Sequence, residues 1–268
     1  MKVDLHIHTN ASDGELSPQG LVNKAIKEHM DIIAITDHDS VDALMKLEEE
    51  KIKNPEIIHG IELSAMKQCS IHILGYFVDI HNKGLLQEIE KIKVSRMKEI
   101  KLVVSKLKKN VNENICMKDI ILHEKALTMD AIADYLWKQG YSGSRADSYD
   151  KYLKEGKCAF VQKECLEPQK AIEIIVRAGG IPVLAHPNRL KLNFDEKKEL
   201  IYQLVKSGLR GIEIYCKDMD DVDWYRTICY KYNLIITGGS DFHGKEDKLG
   251  YWKEDELIPS DICQELCR

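Results

Sequence analysis

Nine residues of the types that bind metals lie within or just after short apolar runs of the chain. Imidazole and carboxylate groups suit zinc, manganese or iron. Such groups occur at the end of nearly every apolar run, which indicates that separate segments of the chain contribute them to one site. We therefore predict a metallohydrolase with several metal ions at one centre. The nine residues are His6, His8, Asp13, His38, Glu62, His72, His186, Asp241 and His243.

The first two histidines show how the chain positions these groups. In the segment 3–8, apolar residues occupy alternate positions, so Val3, Leu5 and Ile7 share one face of a β-strand. His6 and His8 then share the other face. Two imidazoles on one face of one strand can converge on one point.

Seven apolar runs predict seven β-strands, at residues 3–7, 32–36, 57–61, 70–74, 181–185, 211–215 and 234–237. Helical segments separate most of them, which favours parallel pairing, because a parallel crossover needs a dozen or more residues. The carboxyl ends of parallel strands hold the site in both α/β barrels and open α/β sheets. An open, doubly wound sheet concentrates its site at one switch point, whereas six or seven contributing strand ends favour a distorted barrel.

Length and composition agree with one enzyme domain and an insertion. A chain of 268 residues suits a barrel of about 200 to 250 residues with a smaller inserted segment. The formal net charge of −5 gives no sign of a strongly basic nucleic-acid-binding protein, so phosphate recognition must be local. The chain has no run of 18 apolar residues and no signal-peptide pattern, so we expect no membrane partner and a cytoplasmic location. Eight scattered cysteines favour reduced thiols.

Four further histidines are expected to be ordinary surface or core residues, because a lone histidine beside an apolar run is seldom a ligand. They are His29, His59, His81 and His123.

About a hundred residues between His72 and His186 carry no ligand at a strand end, far more than an ordinary connection. We predict a barrel made of residues 1–90 and 160–268, and a helical insertion at 91–159 that covers the active site. Apolar residues at helical spacing predict helices near 85–107, 129–139 and 148–155. A heptad coiled coil is the alternative, but the pattern lasts too few turns.

Seven ordered motifs resemble the PHP superfamily, named for polymerase and histidinol phosphatase, and its TrpH-like branch of phosphoesterases. They are Asp4-Leu5-His6-Ile7-His8-Thr9 with Ser12-Asp13-Gly14, Ile35-Thr36-Asp37-His38-Asp39, Gly60-Ile61-Glu62, Ile71-His72-Ile73-Leu74-Gly75, Ala185-His186-Pro187, Gly211-Ile212-Glu213-Ile214-Tyr215, and Gly239-Ser240-Asp241-Phe242-His243-Gly244.

This resemblance implies a distorted seven-stranded (β/α)7 barrel like a TIM barrel, with a trinuclear centre of zinc, manganese or iron. It implies a first ion at His6, His8, Glu62 and Asp241, a second at Glu62, His72 and His186, and a third at Asp13, His38 and His243. Glu62 would bridge two ions. A hydroxide on the metals would then hydrolyse a phosphate ester without a protein nucleophile.

The same resemblance assigns further roles. Glu62, Asp241 and His243 are predicted as catalytic residues. Arg189, three residues after His186, resembles an arginine that clamps a substrate phosphate, although a surface arginine is an equal alternative. Asp37 and Glu213 are candidates to orient ligand imidazoles, and the alternative for Glu213 is a residue that only lines the barrel.

The insertion departs from the pattern of this branch. Relatives typically carry Gly-Arg-Pro-His where this chain has Ala126-Leu127-Thr128-Met129-Asp130. Arg145, Lys151 or Lys154 are candidates to replace the missing cation. Three functions stay open: a phosphoesterase on a small phosphorylated metabolite or nucleotide, a 5′-to-3′ exonuclease on short oligonucleotides, and a non-catalytic metal-binding module. No obligate protein partner is inferred.

Overall fold

The computed structural model of the chain describes residues 1–50, 52, 54–66, 69–123, 128–162, 165–244 and 247–266. The chain divides into two compact units. The first unit comprises Met1–Ile89 and Cys165–Arg268, and the second comprises Glu90–Glu164. Within the described residues, no helix combines the length and the apolarity needed to cross a membrane.

The first unit is built around one seven-stranded sheet whose strands follow the order of the sequence. The strands are β1 (Val3–Ile7), β2 (Ile32–Ile35), β3 (Glu56–Met66), β4 (Ser70–Tyr76), β5 (Ile181–Leu184), β6 (Gly211–Tyr215) and β7 (Ile235–Gly238). Every residue of β1 is buried, which fits a strand covered on both sides. All seven predicted strands are present.

The prediction of parallel pairing throughout is wrong at β4. This strand runs antiparallel to β3 and to β5, whereas the remaining neighbours are parallel. Only three residues separate Met66 from Ser70, too few for a crossover, so β3 and β4 form a hairpin. Reversal of β4 places His72, near its start, beside the carboxyl end of β5, where the Ala185 N–H donates to the His72 carbonyl at 3.1 Å.

The two edges of the sheet approach each other at the carboxyl end of β7. Ile7 forms a parallel bridge with Phe242, and the His8 N–H donates to the Phe242 carbonyl at 2.9 Å. A Cβ atom at Gly239 would overlap the Cβ of His6, so the close approach of these segments requires glycine. The sheet is therefore a nearly closed barrel, which confirms the predicted fold class.

Helices connect most of the strands of the first unit. They are α1 (Pro18–Lys27), α2 (Asp42–Glu48), the start of α3 (Lys83–Asn110), α7 (Pro168–Arg177), α8 (Phe194–Lys206), α9 (Val222–Tyr232) and α10 (Ile262–Leu266), with a 3-10 turn at Pro187–Arg189. Local sequence fixes their starts. Asn193 and Glu196 form a capping box at α8, and Ser17 caps α1 ahead of Pro18. A two-stranded sheet of β8 (Tyr251–Lys253) and β9 (Glu256–Leu257) follows β7.

The second unit is helical in its described part. It contains most of α3, then α4 (Met117–His123), α5 (Met129–Lys138), α6 (Arg145–Ser148) and a π-helical turn at Tyr149–Leu153. Its own apolar core includes Ile100, Leu107, Ile132 and Leu136. That this segment covers the active site stays a prediction.

The histidines that were not predicted to be metal ligands lie at the following positions. His29 follows α1 with a positive φ of 56°, and His59 lies in β3. At the surface, His81 donates from Nε2 to the Glu48 carboxylate at 2.8 Å. The side chain of His123 and the whole of Cys267 lie outside the described residues. The described cysteines form no disulfide bonds with one another.

Candidate metal centre

Glu62 lies at the middle of the candidate centre, fully buried in β3. Its Oε1 atom lies 2.9 Å from His72 Nδ1 and 2.9 Å from His186 Nε2. Its Oε2 atom lies 3.2 Å from His6 Nε2, 3.2 Å from His8 Nε2 and 3.1 Å from His38 Nδ1. One carboxylate thus faces five imidazoles from four separate segments of the chain, since His6 and His8 belong to the same segment.

Asp241 closes the buried side of the centre. Its Oδ1 atom lies 3.4 Å from His6 Nε2 and 3.2 Å from His8 Nε2. The two imidazole Nε2 atoms are themselves 3.1 Å apart. Four ligand atoms, one each from His6, His8, Glu62 and Asp241, lie within 4.8 Å of one another, a set able to hold a metal ion.

The more exposed side of the centre contains Asp13 and His243. Asp13 Oδ1 lies 3.4 Å from His243 Nε2 and 3.6 Å from His8 Nδ1, and Asp13 Oδ2 lies 3.9 Å from His38 Nε2. These four residues form a second possible metal-binding group, and His38, Glu62 and His72 form a third. The structure therefore brings all nine candidate ligands together, and places His38 between two groups.

Two ring nitrogens test whether metal ions fit this arrangement. Nδ1 of His8 and Nδ1 of His38 are buried without a hydrogen-bond partner in the described part of the chain, although His38 Nδ1 is only 3.1 Å from Glu62. A buried polar atom without a partner costs about 1 to 3 kcal/mol. A divalent cation binds to nitrogen lone pairs that have no hydrogen-bond partner and is stabilised by nearby carboxylates. These residues therefore fit a divalent metal ion.

Electrostatics point in the same direction. Burial alone would raise the pKa of Glu62, but the surrounding imidazoles of His38, His6 and His72 hold it well below its usual value. Burial lowers the pKa of His38 to about 3, so this ring is neutral and able to coordinate. Burial also lowers the pKa of His6, but Glu213, Glu62 and Asp241 outweigh it and raise that pKa well above its usual value. The carboxylates thus stabilise positive charge at the centre, whether on a proton or on a metal ion.

Glu213 and Asp37 were both candidates to orient ligand imidazoles, and the structure separates them. Glu213, fully buried in β6, lies 2.9 Å from His6 Nδ1 and accepts the His186 N–H at 2.7 Å. Asp37 instead accepts from the N–H and the hydroxyl of Thr9, both at 2.7 Å, and from the Ser12 hydroxyl at 2.6 Å. Asp37 therefore fixes the loop after β1, not an imidazole.

Asp4 is a supporting residue that the sequence reasoning missed. It is fully buried and accepts from the Ser240 hydroxyl at 2.6 Å, the Ser240 N–H at 3.0 Å and the Gly250 N–H at 2.8 Å. Burial raises its pKa to about 6, although these donors lower it. Asp4 ties β1 to the segment that carries Asp241. Its place two residues before His6, on the same strand face, was the available signal.

Strained backbone occurs at two of the candidate ligands. His186 has a φ of 27° and Asp241 a φ of 53°, both positive and neither a glycine. Such conformations cost about 1 to 3 kcal/mol and cluster at functional sites.

Arg189 lies at the rim of the centre. Its Nη2 atom is 2.7 Å from Asp241 Oδ2, and its side chain is 48% exposed. Four ligands reach the surface on the same centre, with exposed side-chain fractions of 18% for His38, 22% for His72, 35% for His243 and 38% for Asp13. A substrate can therefore approach the centre from the side of Asp13 and His243.

Each of the three cations predicted to replace the missing arginine is paired with an aspartate. Arg145 makes a double ion pair with Asp134, Lys151 pairs with Asp147 at 2.7 Å, and Lys154 pairs with Asp150. In the departing segment, Ala126 and Leu127 lie outside the described residues. Thr128 caps α5, and Asp130 accepts from the Tyr149 hydroxyl at 2.8 Å.

Comparisons with known proteins show the family to which the chain belongs. Residues 4–213 match the PHP domain family. The chain is 31% identical over 265 residues to a 5′-3′ exoribonuclease of Haemophilus influenzae, with 97% of each chain covered. It is 25% identical over 274 residues to a 3′,5′-nucleoside bisphosphate phosphatase of Chromobacterium violaceum, with 99% of this chain and 95% of that protein covered.

The fold has a counterpart among solved structures. An amidohydrolase from Chromobacterium violaceum, solved with bound sulfate and no metal, superposes with a TM-score of 0.81 at 25% identity, and 99% of this chain and 96% of that chain are covered. The relatives are hydrolases, which removes the alternative of a non-catalytic module. The chain belongs to the PHP domain family and is a metal-dependent phosphoric ester hydrolase.

Proposed function

We propose that the protein hydrolyses a phosphate monoester of a small metabolite or nucleotide at a centre of three divalent ions. The observation that carries the proposal is Glu62, whose two oxygens face five imidazoles. Both oxygens of one buried carboxylate are engaged on different sides, as a ligand that bridges two ions requires.

The ions are assigned to three sets of residues. The first set is His6, His8, Glu62 and Asp241, the second is Glu62, His72 and His186, and the third is Asp13, His38 and His243. The groupings of possible ligands support the first set fully. They add His8 to the third set, and they group Glu62 and His72 with His38 in place of His186. Support for His186 in the second set is its Nε2 atom, 2.9 Å from Glu62 Oε1. His8 and His38 are therefore the imidazoles able to serve either of two neighbouring ions.

Divalent ions at such a site lower the pKa of coordinated water to about 7 and hold phosphoryl oxygens. The residues of this chain then have distinct tasks. Glu62 and Asp241 are proposed as catalytic because they position the reacting centre from the buried side. His243 is proposed as catalytic because its ring is the most exposed imidazole of the centre.

Arg189 is proposed to bind the substrate phosphate. One guanidinium nitrogen is held by Asp241, and the half-exposed side chain leaves other N–H donors for an incoming anion. A solved relative holds sulfate, which shares the shape of phosphate.

A 5′-to-3′ exonuclease on short oligonucleotides is the second candidate. The observation that favours it is the exoribonuclease of Haemophilus influenzae, which aligns over 97% of both chains. Both candidates use the same metal centre and differ in what lies beyond the scissile phosphate.

A substrate panel tests the proposal. Protein loaded with zinc, manganese or iron is assayed with p-nitrophenyl phosphate, a 3′,5′-bisphosphorylated nucleoside and a 5′-phosphorylated trinucleotide. We expect hydrolysis of p-nitrophenyl phosphate, and weak turnover of the bisphosphate because the insertion lacks the arginine and histidine of its branch. Release of no phosphate from any monoester with any of these metals would overturn the proposal.

A further inference from the structure

The two units of the chain differ strongly in charge. Residues 90–164 contain 16 lysines and arginines against 11 aspartates and glutamates, a formal charge of +5. The other residues contain 23 against 33, a formal charge of −10. Charge asymmetry of this kind within one chain indicates a local partner of opposite sign.

The positive charge of the second unit is concentrated on α3. Elsewhere in the unit, at α6 and the π-helical turn after it, Arg145, Lys151 and Lys154 each form an ion pair with an aspartate. In α3, no acidic residue occurs after Glu99, and the next one in the chain is Glu113. The excess of positive charge therefore lies on the second half of α3.

Four exposed lysines of this half form what we call the α3 basic face: Lys101, Lys106, Lys108 and Lys109. The opposite side of the same turns is buried in the core of the unit, at Ile100, Val103, Val104 and Leu107. Helical periodicity thus sends the lysines to solvent together.

Among the described residues, no carboxylate neutralises the charge of these four ammonium groups, so the charge can attract an anion. Lys106 donates to the Phe160 carbonyl, a neutral group. For Lys101, Lys108 and Lys109, the described residues provide no carboxylate partner within ion-pair distance. Favourable interaction with the helix C-terminus explains a cation in the last turn, but Lys101 lies more than two turns before Asn110.

We infer that the α3 basic face binds the phosphate backbone of a single-stranded RNA. This inference rests on the second candidate function, hydrolysis from the 5′ end of an oligonucleotide. From Lys101 to Lys109 the helix extends about 12 Å, at 1.5 Å per residue, which matches several consecutive phosphates but far exceeds one. A mononucleotide would leave most of this surface without a contact. A polyanion, in contrast, releases a counterion at each lysine that it contacts.

Salt dependence gives the sharpest test. We measure binding of a fluorescein-labelled oligouridylate of twelve nucleotides by anisotropy, with the metal-loaded full chain, and check the RNA by electrophoresis afterwards. For a single strand the slope of log K against log salt is about −0.7 per lysine, so four contacts predict about −3. The double variant Lys101→Ala/Lys108→Ala should lessen the slope by about 1.4 and weaken binding at least tenfold at low salt.

A matched control removes the same charge elsewhere. Lys27 and Lys46 are exposed, near the C-termini of α1 and α2, and Lys27→Ala/Lys46→Ala should leave binding and slope unchanged. Alanine is the best helix former, so both double variants should fold. Failure of the unchanged protein to bind at low salt, equal losses in the two double variants, or equal binding of duplex DNA would overturn the inference.

Hydrolysis of p-nitrophenyl phosphate separates this inference from the proposed activity. The Lys101→Ala/Lys108→Ala variant should keep the kcat/KM of the unchanged protein for this small ester, because a substrate with a single phosphate needs no extended basic surface. Loss of this activity in the double variant would contradict a role confined to RNA binding. Absence of the activity in the unchanged protein would instead count against the proposed phosphoesterase, whatever the RNA result.

Discussion

Glu213 Oε1 lies 2.9 Å from Nδ1 of His6, at the opposite end of the ring from the nitrogen that faces Glu62. A carboxylate at Nδ1 keeps the proton there and leaves Nε2 as the nitrogen with a free lone pair. The other Glu213 oxygen accepts the backbone N–H of His186. One buried side chain from β6 therefore positions two ligands from two other strands.

This relationship predicts the behaviour of Glu213→Gln. The amide can still accept from one donor, but its NH₂ group would face a donor at the other position, so one contact must be lost. We expect metal affinity and kcat/KM to fall by about 10 to 100-fold, the usual loss when a group supporting a ligand is changed. Metal titration and steady-state kinetics check this, with exposed Glu173→Gln on α7 as control. Unchanged metal affinity would show that Glu213 does not position His6.

Glu62→Ala should be more damaging than loss of any single terminal ligand such as His72. Removing Glu62 leaves two ions short of a ligand, whereas His72→Ala affects only one. We expect Glu62→Ala to retain at least one ion fewer per chain than His72→Ala, measured by elemental analysis. His59→Ala, in the same strand but outside the centre, serves as control. Equal metal content in Glu62→Ala and the unchanged protein would refute the bridging assignment.

Metal removal should lower stability as well as activity. We expect two to three divalent ions per chain, and complete loss of activity after chelation. Ligands that bind only the folded state stabilise it by about 2.7 kcal/mol at a hundred times Kd. For a chain of this size we therefore expect Tm to fall by roughly 5 to 10 °C, with recovery on adding back metal. Fewer than one ion per chain after reconstitution would sink the trinuclear assignment.

Arg189→Ala should impair substrate binding more than metal binding. A hydrogen bond to a charged group contributes about 1.5 to 3 kcal/mol, so kcat/KM for p-nitrophenyl phosphate should fall about 10 to 100-fold. Arg189→Lys keeps the charge but not the two-pronged geometry and should recover only part of the loss. Arg177→Ala, exposed on α7, is the matched control. If the Arg189→Ala variant loses metal instead, the contact with Asp241 is its main role.

The sequence was sufficient to identify the candidate ligands, because the evidence for each of them is local. Alternation along β1 places His6 and His8 on one face wherever that strand lies in the protein. The other candidate ligands could be identified from their residue types and from their positions beside apolar runs. The resemblance to a known family added the order of the motifs. Asp4, in the same alternation, could have been found by this reasoning.

The direction of a strand and the hydrogen-bond partners of an acidic residue could not be predicted from local patterns. Apolar periodicity identifies a strand and its faces, but the direction of β4 depended on the short connection from Met66 to Ser70. The different roles of Asp37 and Glu213 also had no local signal, since each is an acidic residue at a strand end.

What the sequence by itself determined is the set of donor groups and the strands that carry them, because side-chain chemistry and period-two alternation are properties of neighbouring residues. Only the tertiary structure decided that Glu62 lies among five imidazoles, that His38 stands between two ligand groups, and that Glu213 supports His6. Those relationships join residues up to 207 positions apart, and they exist only once the sheet curves far enough to bring its first and last strands together.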